Sequence, residues 1–172
     1  MTKYAELQVT TNYSFLRGAS HPNELMMTAA ALGLEAIAVT DRNSLAGVVR
    51  AHVAAKQAGV RLIVGARLDL TDGPSLLCFP TDRAAYGRLS RLLTLGKRRA
   101  PKGECELSLA DVFEHGDGQI VVVLPPDDVE DDDFEVTLQG FAARFPGRAY
   151  LAAHYLYTGD DRRRIRALAQ LA

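Results

Sequence analysis

Polar side chains recur in this 172-residue chain at the ends of short apolar runs. Gln8, Thr10 and Asn12 close the first run, and Thr40, Asp41, Arg42 and Asn43 the second. Gly65 and Arg67 close the third, and His154 a later one. Asp41 and His154 are of the types that ligate divalent metals, through carboxylate oxygen and imidazole nitrogen. Gln8 and Thr10 can each offer an oxygen, but neither matches imidazole or carboxylate for a transition metal. A guanidinium such as that of Arg42 or Arg67 cannot lose its proton and cannot ligate, though it can supply positive charge. The plain alternative is that strand ends are polar because they meet solvent.

Other chemistry-bearing residues are weaker signals. Lys97, Arg98, Arg99 and Lys102 form a basic segment expected in a loop, suited to a phosphate contact or a docking surface, or merely solvated. No aromatic residues interleave it, so stacking on single-stranded bases has no support there. Asp127, Asp128, Glu130, Asp131, Asp132 and Asp133 form an acidic run without the glycine and spacing of a calcium loop. Arg162 to Arg164 and Arg166 line a last helix. His21 is expected to order a helix start, His52 to lie mid-helix and His115 near a helix C-terminus, while His154 alone stands at a strand end. Ser14 and Ser20 have no triad partners nearby in sequence, and no glycine-rich phosphate loop is present.

The elements that must position these residues follow from periodicity and punctuation. Strands are expected over 6–10, 36–40, 60–64, 119–124 and 148–153. A further pair, 68–70 and 76–79, flanks the turn signal Asp72-Gly73. Ser20 and Pro22 open a helix that Gly33 stops; a second helix, 45–58, stops at Gly59. Thr81 or Asp82 caps a third, which ends at Leu95 before Gly96. Helices are also expected over 109–115, 134–145 and 160–171, the last with acids where its dipole favours them. Alternating strands and helices imply parallel strands with right-handed crossovers. A barrel and an open doubly wound sheet both satisfy that pattern, and in either the site lies at the C-terminal strand ends.

Composition bounds the function. Lys plus Arg total 20 against 21 Asp plus Glu, so the net charge of −1 gives no global attraction to nucleic acid. Two cysteines, Cys78 and Cys105, make no disulfide framework or zinc spacing, which fits a cytoplasmic setting. The N-terminus lacks an apolar signal segment. The longest apolar runs, such as 120–126, are too short to span a membrane.

The stretch LQVTTNYSFLRGASHPNEL (7–25) resembles the opening of the PHP domains of bacterial C-family DNA polymerases. Ala38-Val39-Thr40-Asp41 resembles their second motif and VRLIVGARL (60–68) their third. LLTLGKRRAPKGEC (92–105) is similar to the error-prone branch. The resemblance implies one PHP domain over 1–172, with an α/β fold: a distorted TIM-like (β/α)7-type barrel. It implies a parent enzyme, a DNA-directed DNA polymerase, acting in damage-induced mutagenesis and translesion synthesis. Active members hold metals on His, Asp and Glu. Here the first motif's His-x-His positions are Gln8 and Thr10, a further ligand position is Arg17, the second motif's His is Arg42 and the third motif's Glu is Arg67. The expectation is a vestigial site of Gln8, Thr10, Arg17, Asp41, Arg42, Arg67 and His154, with no catalytic residue and no metal in this domain. Arg42 or Arg67 is expected to pair with Asp41. Magnesium is implied for a polymerase palm outside this chain. The remaining polymerase domains, and DNA through the parent, are the implied partners. Relatives continue into another strand, so an unclosed edge and dimerisation of the fragment are further expectations. Two other functions compete: an active PHP phosphoesterase or exonuclease, and a stand-alone binding module.

Overall fold

The structure, a computed structural model, describes residues 3–127, 129, 132–155 and 157–172. Asp128, Glu130 and Asp131 of the acidic run lie outside the described residues. The elements run β1 (Ala5–Val9), α1 (Pro22–Ala31), β2 (Ala36–Val39), α2 (Val48–Ala58), β3 (Arg61–Val64), β4 (Ala66–Leu68), β5 (Leu76–Pro80), α3 (Arg83–Arg99), α4 (Leu109–His115), β6 (Gln119–Val123), α5 (Asp132–Arg144), β7 (Ala149–Leu151) and α6 (Asp161–Leu171). Two compact units result. The first comprises residues up to Leu68 with Leu77–Pro80; the second comprises Asp69–Leu76 and Thr81–Ala172.

In the first unit β1, β2 and β3 form a parallel sheet in that order. All four residues of β2, Ala-Ile-Ala-Val, are buried, as a strand covered on both faces requires. Its core joins Ile37 and Val39 to Met26 and Ala29 of α1 and to Ala51, Ala54 and Ala55 of α2. The small residues let both helices approach the sheet closely. The β1–β2 register slips between Glu6 and Val9, so a bulge falls at Leu7 and Gln8.

Two helix starts differ from the expected ones. His21, not Ser20, is the N-cap of α1: its N–H donates to Glu24 Oε2 at 2.7 Å, which draws the first turn one residue later. Helix α2 begins at Val48 rather than Leu45, because residues 44–46 turn on themselves, with Ala46 N–H donating to Ser44 Oγ at 3.1 Å. Gly33 and Gly59 take the left-handed conformation that ends α1 and α2, as their positions foretold.

The second unit holds α3 to α6, with β6 and β7 paired in parallel from Val121↔Ala149 to Val123↔Leu151. Asp82 caps α3 by accepting from Ala85 N–H at 2.7 Å. The expected stop at Gly96 is wrong, and the helix continues to Arg99. Gly96 is buried mid-helix, where a Cβ would stand 2.6 Å from Leu107 Cδ2 and 2.8 Å from Cys105 Sγ. That glycine serves close packing, not helix termination. Consequently Lys97, Arg98 and Arg99 are the last turn of a helix, not a loop. Phe113 of α4 meets Phe141 of α5 and Phe145 edge-on, with centroids 5.4 and 6.0 Å away.

Candidate functional site

Asp41 follows β2 directly and is 1% exposed. Its Oδ1 accepts from Thr11 N–H at 2.8 Å and from Ser14 Oγ–H at 2.7 Å; Oδ2 accepts from Thr11 Oγ1–H at 2.8 Å. Each hydroxyl is also used as an acceptor. Thr11 Oγ1 receives Tyr13 N–H at 3.1 Å, and Ser14 Oγ receives Arg42 N–H at 2.8 Å. A carboxylate taken out of water needs hydrogen-bond donors, and here two hydroxyls and a backbone amide supply three. The clamp ties the loop after β1 to the end of β2.

The sequence placed both partners within reach by forcing the loop after Val9 to fold back. Ser14 N–H donates to Thr11 O at 3.0 Å and Gly18 N–H to Ser14 O at 3.1 Å, while Asn12 N–H reaches Ser20 O at 3.0 Å. A Cβ on Gly18 would collide with the Thr11 carbonyl, so the turn closes only with glycine there. Gly47, the N-cap of α2, presses on the clamp from the other side: a Cβ there would lie 3.0 Å from Asp41 Oδ2 and 3.0 Å from Tyr13 Cδ2. The start of α2 thus faces a carboxylate, the charge its dipole favours.

The other expected site residues separate into groups. Gln8 lies in the β1 bulge, where its N–H donates to Glu6 Oε1 at 3.1 Å, and Thr10 is half-buried beyond it. Arg42 and Arg67 come together through a parallel backbone bridge: Asn43 N–H donates to Arg67 O at 2.7 Å and Arg67 N–H to Asp41 O at 3.1 Å. The Arg42 side chain is exposed and that of Arg67 half-buried. Arg17 is exposed in the turn after Ser14. His154 follows β7 in the second unit and is half-buried. Gln8, Arg17, Arg42, Arg67 and His154 all have interaction partners. Sequence reasoning missed Thr11, Ser14 and Gly47. The only signal for them was a hydroxyl pair at i, i+3 after a strand and a glycine soon after Asp41.

The donor set does not suit a cluster of divalent metals. Both Asp41 oxygens already accept hydrogen bonds, and amide, hydroxyl and guanidinium groups stand at the other expected positions of the first unit. Among the described residues no three His, Cys, Asp or Glu side chains come together as a metal site.

The basic segment is split by a second buried carboxylate. Arg99 grips Asp111 with both terminal nitrogens, Nη2 to Oδ1 at 2.9 Å, while Ser108 N–H and Oγ–H donate to Oδ2 at 2.9 and 2.8 Å. Ser108 and Asp111 form the capping box of α4, an S-x-x-D signature legible in the sequence. The Arg99 hydrogen bonds, chiefly, hold the Asp111 carboxyl down at about 2. Lys97, Arg98 and Lys102 remain exposed. Cys78 and Cys105 are free thiols, and burial pushes the Cys78 thiol up to about 12. Among the described residues no helix is long and apolar enough to cross a membrane.

Known proteins resemble this chain at two levels. The pattern of the PHP domain matches residues 6–137, which spans both compact units. An error-prone DNA polymerase of Caulobacter vibrioides is 56% identical over 169 residues, 98% of this chain. Error-prone DNA polymerase 3 of Agrobacterium fabrum is 51% identical over the same share. The chain spans only 16% and 15% of the length of these relatives. Among solved structures, a chain assigned as a metal-dependent phosphoesterase from Bifidobacterium adolescentis superposes with a TM-score of 0.71 at 16% identity, covering 99% of this chain and 85% of that one. An amidohydrolase from Chromobacterium violaceum, solved with bound sulfate and no metal, gives 0.65 at 18% identity, covering 96% and 82%. At such identities the likeness shows the fold, an α/β arrangement of the TIM-barrel type with parallel strands.

Proposed function

The chain belongs to the PHP domain family, and on that premise we propose that it is the non-catalytic PHP module of an error-prone DNA polymerase. The observation that supports this reading most is the Asp41 clamp. The one carboxylate left among the expected ligand positions of the first unit is consumed by Thr11 and Ser14, where it fastens two strand ends together. Gln8, Thr10, Arg42 and Arg67 stand at the other expected positions there, and none is a strong metal ligand.

The whole enzyme is proposed to carry out DNA synthesis past damage, in repair and damage-induced mutagenesis within the cytoplasm. Its magnesium-dependent nucleotidyl transfer takes place on a palm outside this chain. Lys97, Arg98 and Lys102 are the proposed docking surface for the other polymerase domains, Arg99 being engaged by Asp111.

The likeness to phosphoesterase folds favours one rival, an active metal-dependent hydrolase. Metal analysis of the purified chain with a phosphodiester assay separates the two. The expected result is no bound manganese or zinc and no hydrolysis above background. Hydrolysis that needs manganese or zinc, and that Asp41→Asn removes while the circular dichroism spectrum is kept, overturns the proposal.

A further inference from the structure

Helix α6 sorts its arginines by face. Asp161, Arg164, Ile165 and Leu168 form the inner side, with Asp161 and Leu168 buried. Arg164 is committed to structure there: Nη1 donates to Asp127 O at 2.6 Å and Nη2 to Pro126 O at 2.6 Å. Arg162, Arg163 and Arg166 are exposed on the outer side, Arg166 lying four positions after Arg162 and three after Arg163, the spacings of helix neighbours. With Tyr155, Gly159 and Asp160 they line a cleft of about 560 Å3. That volume lies in the range of small-ligand clefts, roughly 300–1,000 Å3.

Tyr155 is the aromatic residue of the lining, and Tyr157 stands against its ring. Tyr155 is 50% and Tyr157 88% exposed, and their rings meet edge-on with centroids 5.0 Å apart. Tyr157 and the two residues after it are held from α6. Asp161 accepts from Tyr157 N–H at 2.9 Å and from Gly159 N–H at 3.2 Å, and Asp160 Oδ1 accepts from Thr158 Oγ1–H at 2.7 Å. Tyr157 sits at φ +59, an uncommon conformation for tyrosine. The exposed Tyr155 ring thus shares the cleft with Arg162, Arg163 and Arg166, with Tyr157 against it and Asp160 the one carboxylate in the lining.

We propose that this cleft binds single-stranded nucleic acid, with backbone phosphate on Arg162 and Arg166 and a base against the Tyr155–Tyr157 pair. Guanidinium groups match phosphate oxygens in geometry and charge. A free phosphate or an acidic peptide would use the arginines but leave the rings without a role, whereas every unpaired base offers a face to stack. A duplex hides those faces. The proposal does not depend on the state of the Asp41 site.

The test is fluorescence anisotropy of a labelled twelve-nucleotide oligothymidylate with this chain, across a salt series. Binding is expected, with a log–log salt slope of about −1.4, from roughly 0.7 per phosphate neutralised by Arg162 and Arg166. Arg162→Ser/Arg166→Ser is expected to weaken binding about tenfold or more and to flatten that slope. Tyr155→Ala/Tyr157→Ala is expected to weaken the oligothymidylate about tenfold while leaving an abasic strand of equal length unchanged. All four side chains are largely exposed, and circular dichroism checks that each variant folds. Arg83→Ser/Arg91→Ser on α3 serves as control and is expected to bind as wild type does. The proposal is overturned if the abasic strand binds as well as the oligothymidylate. It is equally overturned if the α6 variant keeps full affinity, if the α3 variant loses it, or if oligoglutamate displaces the probe as well as unlabelled oligothymidylate does.

Discussion

Asp41 and Asp111 are both nearly inaccessible, at 1% and 5% exposure, and both stand by the start of a helix, yet they are held in opposite ways. Asp41 is met by neutral donors, a threonine, a serine and a backbone amide. Asp111 is met by a guanidinium with a serine beside it. The first stands where the family resemblance implies a metal ligand, and the second in a helix cap. The difference teaches that a buried carboxylate can be satisfied either by neutral donors from a neighbouring loop or by a guanidinium. Once a buried carboxylate is the acceptor for three donors, its removal orphans all of them.

The largest expected effect therefore falls on the neutral clamp. Asp41→Ala is expected to cost about 3 kcal/mol or more, by stranding the Thr11 and Ser14 hydroxyls and the Thr11 amide; urea denaturation measures it. A change below about 1 kcal/mol would show that the clamp contributes little and would reopen a ligand role. Next comes Gly18→Ala, which drives a methyl into the Thr11 carbonyl and is expected to cost about 2 kcal/mol. A thermal melt checks it, and an unchanged melting temperature would mean the 14–18 turn does not brace the clamp.

The charged pair sharpens the other half of the comparison. Arg99→Met is expected to lower the urea midpoint, by less than Asp41→Ala does, by leaving the buried Asp111 carboxylate with Ser108 alone. The pH window should move with it. The Asp111 value, about 2, lies below the ordinary carboxylate value of 3.8. Its stabilisation is therefore complete above about pH 4 and lost as pH falls through about 2. Without Arg99 the loss should begin at higher pH, so denaturation midpoints of variant and wild type diverge most between roughly pH 3 and 5. Parallel curves over that range would sink this account. The smallest effect is Gly96→Ala. Helix propensity favours alanine by about 1 kcal/mol, but the added methyl meets Leu107, so a net loss of about 1 kcal/mol or less is expected. A clear gain in melting temperature would show that Leu107 yields.

Element order was legible because apolar runs and glycine stops obey local rules. The buried run Ala36–Val39 read as a covered strand, and Gly59 as a helix end, from a few residues of context. Gly96 defeated the same rule, since its reason lies in Leu107 and Cys105, which pack against it from a later loop. Asp82 as a cap was readable for a local reason too. The Ser108–Asp111 box was equally readable, but Arg99, twelve residues away, was not.

By itself the sequence determined the alternation of strands and helices, the family resemblance and the presence of poor metal-ligand types at Gln8, Thr10, Arg42 and Arg67. Those follow from residue identity and short-range periodicity. Only the tertiary structure decided what Asp41 does. Its partners, Thr11 and Ser14, lie 30 and 27 positions away. Burial supplies the physical reason. In water a carboxylate is satisfied by solvent and its identity says little, whereas in the core it must be satisfied by whatever the fold brings to it.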